Sequence, residues 1–304
     1  MNEEYDVVII GGGPAGLTAG LYTSRARLNS LLLEKGLVGG QIVEAELVEN
    51  YPGFAAGISG IELGQLMHQQ ATNYGLKTVI TEATGIELQG EQKVVKTTKG
   101  NFTGKAVIIA SGSERRKLGM PGEREFTGRG VSYCATCDAP FFQEKRIAIV
   151  GGGNAAITEA LYLAKFASRV TVIHRRDQLR ATRILQEKAF SEAKIEFLWN
   201  TIVDEIEGKD IVERLKLHQV KTGGKSTLDI AGIFISVGLK PNTDYLKGIL
   251  SLDELGHIIT NENMETEIPG IFAAGDIRHN SARQAITAAG DGATAAIYAE
   301  KFLS

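Results

Sequence analysis

The chain has 304 residues, 43% of them hydrophobic and 23% charged, with a formal net charge of −3. That length suffices for roughly two domains, each with its own core. The faintly acidic balance, without a basic run, argues against nucleic acid or an anionic membrane surface as partner.

No apolar run approaches the roughly 18 residues that span a bilayer. The acidic opening Met1-Asn2-Glu3-Glu4-Tyr5 is unlike a signal peptide, so a soluble, cytoplasmic protein is expected. Two cysteines are too few for a disulfide scaffold, and in a reducing compartment a close pair points to catalysis or metal binding. The 36 glycines exceed the usual share of about 7%, which suggests many tight turns and close backbone approaches.

The first predicted element is a buried strand, Tyr5-Asp6-Val7-Val8-Ile9-Ile10, followed by the turn Gly11-Gly12-Gly13-Pro14-Ala15-Gly16 and a helix over about 15–26. The turn fits G-x-G-x-x-G. Its first glycine permits the bend, its second admits a pyrophosphate, and its third lets helix and strand pack. The helix N-terminus offers free N–H groups and partial positive charge to phosphates. A second strand, Ser30-Leu31-Leu32-Leu33, ends in Glu34, near the place about 20 residues on where a carboxylate accepts from ribose hydroxyls. A carboxylate there repels a 2′-phosphate, which selects FAD or NAD over NADP.

A strand over Lys105–Ala110 ends in Ser111-Gly112-Ser113, and Pro121-Gly122 follows as a turn. Next comes Ser132-Tyr133-Cys134-Ala135-Thr136-Cys137-Asp138. C-x-x-C spacing holds two sulfurs close enough to make and break a disulfide. Half a zinc site and a pair of inert buried thiols are the rivals; a closed zinc site needs four ligands, and the five histidines are scattered. Asp138 is either a proton shuttle for the thiols or the cap of a turn.

The opening pattern then recurs. Arg146-Ile147-Ala148-Ile149-Val150 leads into Gly151-Gly152-Gly153-Asn154-Ala155-Ala156 and a helix over about 154–167. Here the following strand, Arg169–Ile173, ends in His174-Arg175-Arg176, with Arg180 beyond. The charge has changed sign at the same topological place. Guanidinium groups there suit a phosphate dianion and favour NADPH, the alternative being a solvated basic helix start. Lys240-Pro241-Asn242 is another turn. Finally Gly270–Ala274 ends in Gly275-Asp276, where Asp276 either faces a ligand at the sheet's carboxyl edge or caps a helix beginning near Ala282.

The expected fold class is α/β, with two Rossmann-like dinucleotide-binding domains. An NADPH domain with the redox disulfide, 115–242, is inserted into an FAD domain formed by 1–114 and 243–304. Links of two segments would permit one domain to rotate against the other.

Over essentially its whole length the chain resembles the low-molecular-weight thioredoxin reductases. The resemblance runs through Gly11–Gly16, Gly39-Gly40-Gln41, Glu49-Asn50-Tyr51-Pro52-Gly53, Ile109–Gly112, Tyr133–Asp138, Gly151–Ala156, His174–Asp177, Gly238–Asn242, Gly275-Asp276 and Arg283-Gln284-Ala285. It implies FAD contacts at Gly11, Gly13, Pro14, Ala15, Glu34, Gly40, Gln41, Asn50, Gly112, Asp276, Arg283, Gln284 and Ala285. It implies NADPH contacts at Gly151, Gly153, Asn154, Ala155, His174, Arg175, Arg176 and Arg180. Cys137 resembles the flavin-proximal sulfur, Cys134 the sulfur that attacks the partner, and Asp138 the acid–base residue. A thioredoxin or thioredoxin-like partner and a homodimer are implied as well. Ala139-Pro140 stands where a single glycine is common, Asn154-Ala155 where many members have Asp-Ser, and Ser111-Gly112 where Thr-Gly is usual. Phe141 and Phe142 face either a partner or the core. A ferredoxin-type flavin reductase of this architecture lacks the dithiol. A peroxiredoxin-linked reductase usually carries an extra N-terminal region. Reductases serving another disulfide partner and flavin-bound redox sensors share the whole pattern.

Overall fold

A computed structural model describes residues 4–45 and 47–304. Met1-Asn2-Glu3, read above as unlike a leader, and Glu46 lie outside the described residues. In chain order the elements begin with β1 (Glu4–Ile10), α1 (Pro14–Arg25), β2 (Ser30–Glu34), α2 (Gly60–Thr72), β3 (Lys77–Ile80), β4 (Ala83–Gln89), β5 (Gln92–Thr97) and β6 (Gly100–Ile109). They continue with β7 (Ser113–Arg115), β8 (Val131–Ser132), α3 (Ala135–Asp138), β9 (Arg146–Val150), α4 (Asn154–Leu163), β10 (Arg169–His174), α5 (Arg183–Ser191) and β11 (Ile195–Trp199). The last are β12 (Thr201–Gly208), β13 (Val212–Gln219), β14 (Lys225–Asp229), β15 (Gly232–Ile235), β16 (Leu239–Pro241), β17 (Ile271–Ala273) and α6 (Ala285–Leu303).

The chain divides into two units, one of Met1–Glu114 with Lys240–Ser304, the other of Arg115–Leu239. The first is built on a sheet of order β3-β2-β1-β6-β5-β4, with β17 also on β6. Strands β3, β2, β1, β6 and β17 run parallel, while β5 and β4 return antiparallel. Alternation along β1 sends Val7 and Ile9 to the face packed by Leu17 of α1 and Ala295 of α6. Val8 and Ile10 go to the opposite core with Leu31, Leu33, Val95 and Ile258. Burial on both faces explains why these strands read as continuous apolar runs.

The second unit has an all-parallel sheet of order β11-β10-β9-β15-β8. Helices α4 and α5 cover the face carrying Ile147, Ile149 and Val172. On the other face Ala148, Ile173 and Ile233 pack against Val203, Leu215 and Leu217 of an antiparallel sheet, β12-β13-β14. That layer carried no fingerprint, and only its alternating pattern marks it in the sequence.

Several boundaries differ from the sequence expectation. The first helix begins at Pro14, whose missing N–H is harmless at the first helical position. The helix expected over about 154–167 is α-helical only to Leu163, because Lys165 and Phe166 turn tighter, donating to Tyr162 and Leu163 carbonyls three residues back. The insert was expected to end at residue 242, whereas the second unit ends at Leu239. Asn242 stays with the first unit, its N–H donating to the Gly112 carbonyl at 3.0 Å and its side chain to Ser111 at 2.7 Å. Among the described residues no helix is long and apolar enough to cross a membrane.

Candidate active site

In the first unit, β1 is in register with Leu33 of β2 and Ile109 of β6 at Ile10, so their C-terminal ends converge on the glycine turn. Gly11 has φ +106°, and a Cβ there would lie 2.4 Å from the Ala110 carbonyl oxygen. A Cβ on Gly16 would lie 1.8 Å from the Gly11 oxygen, which makes the third fingerprint position glycine by contact alone. Gly13 is the N-cap of α1, and Pro14 and Ala15 open its first turn. Glu34 brackets the bend: one carboxylate oxygen accepts from the Gly12 N–H at 2.6 Å, the other from the Gly36 N–H at 2.8 Å. Gly40 lies over the turn, close enough that a Cβ would meet the Gly13 Cα at 2.7 Å. Gln41 donates through its side-chain amide to the Ser113 carbonyl, next to Gly112.

The turn after β17 belongs to the same unit. Asp276 accepts from the Ser281 hydroxyl at 3.0 Å, and its carbonyl accepts from the Ser113 hydroxyl at 2.6 Å. Asp276 is not the N-cap of the helix that follows. The helix starts at Ala285 rather than near 282, and its N-cap is Gln284, in a reciprocal capping box with Thr287. Asn50 donates to Gln284 at 3.2 Å, so two residues far apart in sequence meet here, while Arg283 sits in the left-handed region (φ +58°). The sequence reading missed the group that fastens this turn. Arg278 grips Asp291 of α6 with two bonds, Nε to Oδ2 at 2.7 Å and Nη2 to Oδ1 at 2.8 Å, and Asp291 also accepts from the Gly275 N–H at 3.0 Å. Neither residue falls in a motif. A Cβ added at Gly112 would meet nothing within 4 Å, so the bend after β6 borders open space. Together the turn amides, the α1 N-terminus and Glu34 could hold a dinucleotide.

In the second unit Gly151 lies against Ala156, where a Cβ would approach to 2.5 Å, and Gly153 borders open space as the N-cap of α4. Asn154 and Ala155 open that helix, and the Asn154 side chain accepts from the Thr182 N–H at 2.8 Å. His174, expected among the nucleotide contacts, is buried under the bend, with its ring where a Gly152 Cβ would stand. Burial, aided by Arg180, Arg176 and Arg175, holds its pKa below the ordinary imidazole value. Arg175, Arg176 and Arg180 are exposed and carry no ion pair among the described residues, whereas the neighbouring Asp177 is paired with Lys221 at 2.7 Å. Three unneutralised guanidinium groups could hold a phosphate.

The thiols also lie in the second unit. Cys134 follows β8 and is the N-cap of the short helix α3; Cys137 lies inside it, and the two sulfurs are joined as a disulfide with Cα atoms 5.3 Å apart. Cys134 is half-buried and Cys137 exposed. Asp138, at the end of α3, makes no capping bond. Its Oδ2 instead accepts from the buried Ser132 hydroxyl at 2.6 Å. Burial pushes its pKa above the ordinary carboxyl value, opposed by the Ser132 bond and the Arg115 charge. Glu123, also missed, is a buried carboxylate that accepts from the Leu118 and Gly119 N–H groups and from the Tyr133 hydroxyl at 2.7 Å, anchoring the residue before Cys134. Phe142 packs edge-on against Phe234 and so faces the core, while Phe141 is 53% exposed.

Comparison with known proteins agrees with this arrangement. The model of the family described as pyridine nucleotide-disulphide oxidoreductase matches residues 5–292. A thioredoxin reductase of Peptoclostridium acidaminophilum is 47% identical over 310 residues, covering 100% of this chain and 98% of the relative. One from Bacillus subtilis is 48% identical over 299 residues, covering 97% and 94%. Among solved structures, thioredoxin reductase from Streptococcus pyogenes superposes with a TM-score of 0.96 at 45% identity, covering 100% of this chain and 99% of that one. That from Giardia duodenalis gives 0.94 at 35% identity, with 99% of each chain covered. The chain therefore belongs to the pyridine nucleotide-disulphide oxidoreductases and, within them, to the thioredoxin reductases.

Proposed function

We propose that this chain is an NADPH-dependent flavoprotein that reduces the disulfide of a thioredoxin-like protein through Cys134 and Cys137. The observation that carries the reading is the bonded sulfur pair in one helical turn, with the half-buried carboxyl of Asp138 next in sequence. When bound, the pyridine nucleotide and FAD supply the electron pair that opens the Cys134–Cys137 bond. Gly11, Gly13, Pro14, Ala15, Glu34, Gly40, Gln41, Asn50, Gly112, Asp276, Arg283, Gln284 and Ala285 hold FAD in the first unit. Gly151, Gly153, Asn154, Ala155 and the three arginines hold NADPH in the second, with His174 supporting the bend from beneath.

The rest is thiol chemistry. The Cys134 thiolate attacks one sulfur of the partner disulfide, forming a mixed disulfide and expelling a thiolate, which takes a proton. Cys137 then attacks the Cys134 sulfur, restoring the internal bond and releasing the second partner thiol. A carboxyl whose pKa burial raises holds its proton more readily and is suited to move those protons. The exposed Phe141, four residues past Cys137, offers apolar surface to the partner. A homodimer is part of the same proposal, as the resemblance implies. A cycling dithiol suits the reducing cytosol.

Replacing Cys134 with serine is expected to abolish reduction of thioredoxin while NADPH still bleaches the flavin. Loss of both reactions in a folded, yellow variant contradicts the assigned order.

A further inference from the structure

Ser132 appears in no step of the exchange chemistry above. It ends β8, fixed to the sheet by its register with Phe234, and it is buried. Its hydroxyl donates to Oδ2 of Asp138 at 2.6 Å and accepts from the backbone N–H of Cys134 at 3.1 Å. One oxygen on a rigid strand end thus touches both the carboxyl and the backbone of the attacking cysteine. The backbone N–H of Asp138 donates to the Cys134 carbonyl at 3.1 Å, and Ser132 adds the bond that reaches the Asp138 side chain.

We propose that Ser132 is a positioning residue of the thiol exchange, whose hydroxyl sets where the Asp138 carboxyl stands relative to Cys134. The inference rests on the disulfide-reductase reading. In each of the two exchange steps one S–S bond forms, one breaks, and a thiolate leaves. Over both steps the enzyme dithiol loses two electrons and the partner disulfide gains them. The proton each departing thiolate takes comes from the acid form of Asp138, which is recharged from the enzyme thiols and water. A carboxyl free to rotate would meet that thiolate less often.

The charges around the carboxyl fix the sign of the pH effect. Arg115 acts on it directly. Helix α4, packed on α3, carries one carboxylate, Glu159, and Tyr133 is engaged by Glu123. Helix α4 also carries Tyr162, and the two thiols titrate once reduced. A hydroxyl that donates to the carboxylate favours the ionised form, so deleting it raises the pKa of Asp138. The alkaline limb of exchange, where the acid form is lost, then moves to higher pH.

The test compares Ser132→Ala, Ser132→Thr and Asp138→Asn in the flavin-loaded enzyme. The Asp138 carboxyl band is identified by infrared difference against Asp138→Asn and titrated, and kcat/KM for oxidised thioredoxin is measured against pH. In Ser132→Ala both the band and the alkaline limb are expected about one pH unit higher. Ser132→Thr, which keeps the hydroxyl, stays near the wild-type midpoint. A Ser132→Ala enzyme that is slower at every pH, with both midpoints unmoved, overturns the proposal and leaves Ser132 a packing residue. A wild-type enzyme whose flavin bleaches but which passes nothing to thioredoxin overturns the disulfide-reductase reading, and the proposal with it. The infrared titration identifies which link failed, since it reports the Ser132–Asp138 bond without turnover.

Discussion

Arg175, Arg176 and Arg180 stand together as exposed cations at the end of β10, where the first unit places Glu34 at the end of β2. The opposite signs at equivalent places are a sequence-level signal, because a single charged side chain after the second strand is enough to accept or repel a ribose phosphate. Arg176→Ala is expected to weaken NADPH by roughly 10-fold to 100-fold, the loss of a charge-assisted bond, while NADH is little affected. Steady-state KM values for the two nucleotides check this. His174 stands apart from the arginines: the resemblance implies a nucleotide contact there, and its ring fills the space under Gly152. Its pKa is lowered by burial, so the unfolded chain takes up a proton that the folded chain refuses. Stability therefore holds above the unfolded imidazole value of about 6.5 and declines as pH falls below it. Denaturant unfolding at pH 7.5 and pH 5.5 is expected to show a smaller difference in His174→Phe than in the wild type. Ser132 and Glu123 were illegible for another reason. Their importance lies in bonds to Asp138 and Tyr133 across a fold that no periodicity encodes.

At the scale of elements, glycine was the most legible residue. Both bends were placed from pattern alone, and the contacts explain why: a Cβ at Gly11 would strike the Ala110 carbonyl just past β6, one at Gly16 the Gly11 oxygen, and one at Gly151 the Ser236 oxygen and the Ala156 side chain. The close approach of α6 was hidden. Gly292 lies so near the α1 backbone that a Cβ would sit 2.0 Å from the Ala15 oxygen, whereas Gly290 of the same helix meets nothing, and the sequence does not tell the two apart. The Arg278–Asp291 clasp was hidden likewise. Its side chains are only 17% and 11% exposed, and it ties the Gly275-Asp276 turn to α6. Breaking one partner of a buried pair costs about 3–5 kcal/mol and leaves the other charge unmatched. Asp291→Asn is expected to lower the melting temperature of the apoprotein and to raise the flavin dissociation constant, both read by thermal denaturation and fluorescence titration. A variant with wild-type flavin affinity would show that the turn keeps its shape without the clasp.

For the whole molecule, the two-unit plan was readable because the same strand–turn–helix phrase occurs twice, with the second copy interrupting the first. What was not readable is the second face of the inserted unit. The antiparallel layer β12-β13-β14 packs through Val203, Leu215 and Leu217, residues whose alternation marks strands but not the sheet they cover. In the proposed cycle electrons pass from a nucleotide at the arginines to a flavin beside Glu34 and Asp276, and from there to the disulfide. One titration tests that sequence of events. Under anaerobic conditions the yellow protein is given stoichiometric NADPH until the flavin bleaches, and oxidised thioredoxin is then added while free thiols on thioredoxin are counted. The account predicts return of the yellow colour together with new thioredoxin thiols, and no such thiols with Cys134→Ser. Return of colour without thiols on thioredoxin, or thiols formed equally by Cys134→Ser, would contradict it.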